Sequence, residues 1–360
     1  MLFKNNILGF IPEQDWLTVG FDVTRPNDPI DGLFGDEHTD NLVAYWQSIA
    51  AEYQIPVMAQ FHGFDTEAQK TFRTPVDTHN IEKGLIKVKM NQSERLRELT
   101  RSGVQGDQAI YDYVMNDGLR LADQVVTRTK VAKNELLATG KVTIKENDLD
   151  LTVEYGVPDT HLELSLDFGA GAQTDIPSQL QHIIDIATDA GITITGMVLP
   201  RSVLTKFRQN LAIQKAINGA LGAEALVRRT ALDAYLSEEF GINTIITNDL
   251  TYATPNGFDA NGRPKIIQHR YFPQDKVTFF GTNAGGRIGT GLWGDPPELE
   301  AANAFSGGVG ASSESPYVYI SQWAETDPAV LWTKASALFM PVLYNPQALY
   351  VATVTETPGA

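Results

Sequence analysis

One stretch of this sequence limits the fold more than any other. Between residues 104 and 139, Ile110, Val114, Leu121, Val125, Ala132 and Leu136 recur at spacings of 4, 7, 4, 7 and 4. Those spacings keep all six on one face of an α-helix. Gly140 supplies the stop. At 1.5 Å per residue the helix spans roughly 50 Å. That exceeds the core of a small domain, so part of it is expected to lie against other elements or other copies of the chain. Gly118 inside it costs up to about 1 kcal/mol relative to alanine and permits a bend.

The segments around this helix read as strands and arms. Residues 1–40 are polar and acidic, carry Pro12, Pro26 and Pro29, and show little periodicity, the pattern of an extended arm. A short helix is expected near Asn41–Tyr53, with Leu42, Trp46 and Ile49 on one side. Residues 55–92 have strand character at both ends and a polar middle. In the closing part, Leu85, Lys87 and Lys89 alternate with Ile86, Val88 and Met90, a strand with one wet face. The whole reads as a long two-stranded excursion, which is marginal alone and needs a partner.

Beyond Gly140, Lys141–Lys145 and Leu149–Tyr155 alternate as a hairpin. Helices are expected at Ile176–Ala190, Arg201–Ile217 and Ala223–Phe240. Strands are expected at Thr195–Leu199, Asn243–Ile246, Lys265–Tyr271 and Lys276–Phe280. Asn256-Gly257 and Asn261-Gly262 mark turns. Ala301–Ser315 is small, rich in Gly and Ser, and reads as an irregular loop. There is no internal repeat.

Charge and composition narrow the function. Net charge is −16, which argues against a dedicated nucleic-acid binder with a basic face and favours solubility. The charge is uneven: residues 81–141 hold 11 Lys and Arg against 8 Asp and Glu. A near-neutral middle with acidic flanks fits complementary contacts between copies. Cysteine is absent, which excludes disulfides and thiolate metal sites. No apolar run approaches the roughly 20 residues of a membrane span, and the first residues lack signal-peptide features. The chain is expected to be cytosolic when made.

Motifs of catalysis are missing. Gly169-Ala-Gly171 and Gly285–Gly291 do not match the dinucleotide fingerprint; Thr174 stands where the first needs a third glycine, and Leu292-Trp-Gly-Asp-Pro-Pro follows the second. There is no phosphate loop and no Gly-x-Ser-x-Gly elbow. The histidines at 38, 62, 79, 161, 182 and 269 lack the paired spacing of a zinc site. The tryptophans at 16, 46, 293, 323 and 332 are core or interface rings by default. Trp16, in the arm, is expected at an interface.

Four segments together carry a family resemblance. The C-terminal run from Tyr317 to Val354 holds Ser321-Gln-Trp323, Asp327-Pro328, Trp332, Pro341-Val-Leu343 and a last strand. Gly191–Phe207 is a strand running through Pro200 into a helix. Asp275–Phe280 is followed by Gly289-Thr-Gly-Leu-Trp-Gly-Asp-Pro-Pro-Glu298. The long helix leads into Gly140-Lys-Val-Thr-Ile144 and Glu154-Tyr-Gly156. In this order, over most of residues 40–355, the sequence resembles the tailed-phage major capsid protein E family.

That resemblance implies an α+β chain with the Hong Kong 97-type capsid fold. The segments would then be an N-terminal arm (1–40), a short helix region (41–54) and an E-loop hairpin (55–100). A peripheral domain (101–156) would hold the spine helix and a hairpin, followed by an axial domain (157–325) and a return to the peripheral domain with the tail (326–360). It implies self-assembly through pentamers and hexamers into an icosahedral shell around double-stranded DNA, bound without sequence specificity, in the virion after assembly in the host bacterial cytoplasm. A separate scaffolding protein, a portal protein and a decoration protein are the implied partners. No cofactor, metal, catalytic residue or membrane is implied. Contacts between subunits are expected to use Trp16, Lys70, Arg73, Lys83, Lys87 and Lys89. The rival readings are an encapsulin-like compartment, another phage structural protein and, more remotely, a soluble α/β enzyme.

Overall fold

The computed structural model describes residues 28–48, 58, 73, 77–92, 107–146, 149–169, 174–219, 225–258, 264–282, 286–299, 309–311, 317–327 and 329–356. In chain order the elements are β1 (Phe34–His38), β2 (Val43–Ser48), β3 (Asp77–Glu82), β4 (Gly84–Gln92), α1 (Asp107–Thr139), β5 (Lys141–Glu146) and β6 (Leu149–Glu154). Next come α2 (Asp159–Leu162), β7 (Leu164–Asp167), α3 (Ile176–Asp189), β8 (Gly196–Leu199), α4 (Arg201–Gln209), α5 (Leu211–Asn218) and α6 (Arg229–Phe240). The rest are β9 (Thr244–Thr247), β10 (Thr251–Phe258), β11 (Pro264–Arg270), β12 (Lys276–Phe280), β13 (Gly289–Gly294), β14 (Val309–Ala311), β15 (Tyr319–Thr326), β16 (Ala329–Leu343) and β17 (Leu349–Thr355). Among the described residues no helix is long and apolar enough to cross a membrane.

The expected long helix is α1, which starts at Asp107 and runs unbroken through Gly118 to Thr139. Leu121, Val125, Ala132 and Leu136 are buried in one core; each large aliphatic side chain so placed contributes about 1.5–3 kcal/mol. Gly140 ends the helix with φ 70°, and its N–H donates to the Leu136 carbonyl at 2.8 Å.

Two sheets share this helix. In the first, strands run β1-β13-β16-β15-β14, with β4 also paired to β16. Ile86, Val88 and Met90 of β4 pack on the α1 core, so the alternation read from the sequence gives the correct buried face. In the second sheet the order is β7-β17-β12-β8-β9, and it is covered on both sides. Val198, Phe280, Leu349 and Val351 join the α1 core. Their strand neighbours Met197, Leu199, Val277, Phe279, Tyr350 and Ala352 join a second core with α3, α4, α5 and α6. The period-2 alternation of a strand thus divides each of these near-continuous apolar runs between two cores. Thr278, on the α1 side, donates its hydroxyl to the Leu137 carbonyl at 2.8 Å, which satisfies a buried polar group.

Several expectations change. The helix near Asn41–Tyr53 is instead strand β2, paired with β3. Ala44 and Trp46 are buried while Tyr45 between them is exposed, so the true period is 2, not 3.6. Residues 49–53 of that segment lie outside the described residues. The helix expected across Arg201–Ile217 breaks at Asn210, whose side chain accepts from the Ala212 and Ile213 N–H groups and caps α5. The third helix starts at Arg229 rather than at residue 223. Asn256-Gly257 lies inside β10 at a register shift, while Asn261-Gly262 falls outside the described residues. Val309–Ala311, in the expected loop, is a strand paired with β15.

The expected boundary between residues 325 and 326 would cut the β15–β16 hairpin, in which Thr326 pairs with Ala329. β13 and β15, placed by sequence in the axial unit, belong with β16 and β4, whereas β17 belongs to the second sheet. The chain crosses between the two layers more than once, so no single cut separates them.

Candidate assembly surfaces

The arm is tied to the spine helix by three of its acids, Asp28, Asp31 and Asp36, of which Asp28 is buried. Asp28, Asn134 and Asn248 are all buried. Asn134 Nδ2 donates to Asp28 Oδ2 at 2.9 Å, and Asn248 Nδ2 donates to Asp28 Oδ1 at 3.1 Å and to Asn134 Oδ1 at 2.8 Å. The Ile30 N–H also donates to Asp28 Oδ1. Burial raises the Asp28 carboxyl above its ordinary range, against the lowering effect of the Ile30 and Asn134 hydrogen bonds. The residue before Asn134 in α1, Lys133, reaches with its Nζ to Asp36 Oδ1 at 3.1 Å and Asp31 at 3.6 Å. Trp293 Nε1 donates to the same Asp36 oxygen at 3.0 Å.

The glycine-rich run has a packing role here. A side chain at Gly289 would strike the Phe34 ring and the Val342 carbonyl, and one at Gly291 would strike Phe339, Asp36 and Lys133. These glycines let β1 lie parallel to β13.

The sequence-predicted contact residues fall into three groups. Trp16 and Lys70 lie outside the described residues, and Arg73 is exposed. Lys83 is a correction: it is buried inside the subunit. Its ammonium donates to the Thr39 carbonyl and hydroxyl, each at 2.6 Å, and to the Trp293 carbonyl at 2.8 Å. Burial lowers its pKa, while Asp295 and Asp40 act the other way. It ties β4 to the arm rather than offering its charge to a neighbour. Lys87 and Lys89 lie on the outer face of the first sheet, where both find partners in their own chain. Lys87 Nζ is 3.2 Å from Glu298. Lys89 Nζ lies 4.4 Å above the Trp332 ring. Trp332 faces Trp323 across the β15–β16 pair, stacked at 6.1 Å.

His38, Asp40 and Asp295 also converge. His38 Nε2 is 2.9 Å from Asp295 Oδ1 and Nδ1 is 3.5 Å from Asp40, and the imidazole stacks on Tyr317. Tyr319 donates to Asp295 at 2.9 Å; burial and then that carboxylate push its pKa up to about 12. These polar groups engage one another and hold the end of β1 to the strands beside it.

Sequence reading missed the Asp28–Asn134–Asn248 cluster. Its members are 106 and 114 residues apart in the chain, and no local pattern links them. Asn134 beside the apolar stripe of α1 is the one available signal: a short polar residue near a buried helix face needs a partner.

The remaining surfaces are two-stranded pairs: β2–β3 and β5–β6 each set residues into the core, among them Trp46, Val142 and Val153, whereas Phe258, Ile266 and Ile267 of β10–β11 are exposed. β2–β3, β5–β6 and β10–β11 each pair only with each other among the described strands. A spine helix shared by two sheets, a clamped arm and protruding ribbons define a shell-building subunit of the Hong Kong 97-type capsid fold. The chain belongs to the phage major capsid protein E family, whose model matches residues 77–354. It is a phage major capsid protein, and its place is the virion.

Solved structures agree on the fold. A protein of an E. coli CFT073 prophage, described as a capsid protein, is 12% identical with a TM-score of 0.54, covering 96% of this chain and 99% of that one. A phage-related protein from Bordetella bronchiseptica RB50 is 11% identical with a TM-score of 0.51, covering 96% and 97%. No curated protein matches the sequence.

Proposed function

We propose that copies of this chain form pentamers and hexamers that close into an icosahedral head around double-stranded DNA, without sequence-specific contact. The observation that carries this is the family match running through the spine helix and both sheets. A separate scaffolding protein, a portal protein and a decoration protein are its partners, and assembly takes place in the host bacterial cytoplasm. The role is structural, with no reaction catalysed and no cofactor. The peripheral unit comprises α1 with the first sheet, and the axial unit comprises the second sheet with α3–α6.

The hairpin excursion is the strap between subunits. Asp77 and Thr78 pair with Ser48 and Gln47; Lys70, Arg73 and, from the arm, Trp16 are its proposed contact residues. Electron microscopy of the purified chain, alone and with its scaffold, tests the reading. Closed shells are expected, and a monodisperse monomer under both conditions overturns it. Deleting residues 65–76 is expected to leave the circular dichroism of the subunit unchanged and abolish sedimenting shells; normal shells from that variant would remove the strap assignment.

A further inference from the structure

We propose that the β10–β11 ribbon is an anchor between subunits, docking its apolar and cationic side chains onto a second copy of this chain. The inference rests on the capsid reading and assigns a surface to it. Ile266 and Ile267 are consecutive in β11 and therefore point to opposite faces, yet they are 70% and 44% exposed. Phe258, at the far end of β10, is 73% exposed. Among the described residues, no element of the subunit covers either isoleucine. A two-stranded ribbon is marginal in water without a partner, and three large apolar side chains of this one stand exposed along its length.

Side-chain docking is favoured over strand addition. Pro255 removes an N–H from β10, and Gly257, with φ 70°, accompanies the register shift beside it. Such an edge offers no regular ladder to another strand.

Charge selects the partner. The described residues of the ribbon hold no acid, in a chain of net charge −16; Arg270 is engaged by Asp249 of its own chain at 3.5 Å, which leaves the exposed Lys265 as the cation the ribbon offers. Another copy therefore presents a surplus of carboxylates. Asp185, Asp189, Glu238 and Glu239 on α3 and α6 are exposed acids of this kind. Beside the ribbon, an open groove of about 810 Å³ is lined by Tyr252, Ile266, Val88, Val131 and Arg128, with room for apolar side chains of the neighbour.

The absence of cysteine makes the test clean, because Ile266→Cys introduces the sole thiol. Its maleimide labelling is compared in free subunits and in assemblies made from this chain alone. Labelling is expected to slow by about tenfold or more in the assemblies, as in a water-excluding interface core. Equal rates in both states overturn the inference while leaving the capsid reading intact. Protection that appears only after another phage component is added overturns the second copy as partner. No self-association under any condition overturns both. As a second variant, Ile266→Asp with Ile267→Asp is expected to fold as judged by circular dichroism but to lose shells; undiminished shells overturn the proposal.

Discussion

The second sheet and the β10–β11 ribbon obey the same period-2 rule and end in opposite states. In β12, Val277 and Phe279 face the α3–α6 core while Phe280 faces α1, and all three are fully buried. In β11, Ile266 and Ile267 also diverge to two faces, and both meet solvent. The sheet finds both covers inside its own chain. The ribbon finds neither among the described residues. For a capsid subunit, the difference separates what folds a monomer from what closes a shell.

The largest effects should come from breaking the covered side. Val125→Pro removes a hydrogen bond within α1 and collides with the preceding turn, costing about 3 kcal/mol or more, on top of the lost burial. Phe280→Ala should cost about 3–5 kcal/mol by leaving a cavity between α1 and the second sheet. Urea unfolding of the subunit measures both. If Ile266→Ala destabilised the subunit as much as Phe280→Ala, the contrast between the two regions would fail.

Next in size is the polar cluster that joins arm, helix and sheet. Asn248→Leu removes donors to Asp28 and Asn134 and leaves a buried carboxylate with fewer partners. The expected loss is about 1–3 kcal/mol, or more if Asp28 stays charged. Resistance of the arm to proteolysis near Asp28 should fall with it. An unchanged cleavage rate would show that the acids at Asp31 and Asp36 hold the arm by themselves.

Sequence alone made much of this arrangement legible, and the failures have physical causes. α1, β4, the β5–β6 hairpin and strands β8, β9 and β12 of the second sheet followed from the apolar patterns of their own residues, whereas β17 was expected through the family resemblance and the four-residue β7 was not expected. The segment at Asn41–Tyr53 misled because Leu42, Trp46 and Ile49 mimic helical spacing, although pairing with β3 decides its conformation. Asn210 hid a helix break because its capping role depends on the turn it makes. Among the contact residues, Lys83 looked like a surface cation and proved to be a buried tie, since its partners Thr39 and Trp293 are 44 and 210 residues away. Such distant pairings leave no local trace.

A smaller effect comes from pH. His161 is buried and stacks on Tyr350 with ring centroids 4.1 Å apart. Burial lowers its pKa below 6.5, while backbone groups of Leu349 and Gln347 act the other way. Its contribution is therefore fully present above about 6.5 and is lost as pH falls through the folded value. Asp28 has the opposite sign: its raised pKa gives stability that is present below 3.8 and lost as pH rises through the folded value. Urea midpoints at about pH 5 and about pH 7.5 should show the wild type weaker at the lower value, with His161→Phe flattening the difference. A slope that survives in His161→Phe would assign the acid limb to other groups.

The smallest expected effect lies on the outer face of the first sheet, between the two regimes. Glu298 accepts from Lys334 at 2.9 Å and lies 3.2 Å from Lys87. Burial alone would raise its pKa, but the hydrogen bonds and charge of these lysines outweigh it and the net shift is downward. Its contribution is thus present above 4.5 and lost as pH falls through the folded value. Lys87 is half exposed, so solvent screens that arm of the cluster, and Glu298→Gln should cost only about 1 kcal/mol. It would also leave Lys334 opposite Lys89 in the β4–β16 register without its counter-charge, and like charges facing each other across strands are unfavourable. Added salt should shrink the difference between wild type and Glu298→Gln. If the cost instead reaches several kcal/mol and ignores salt, Glu298 belongs with the covered core, and the outer face of this sheet is less a surface than it looks.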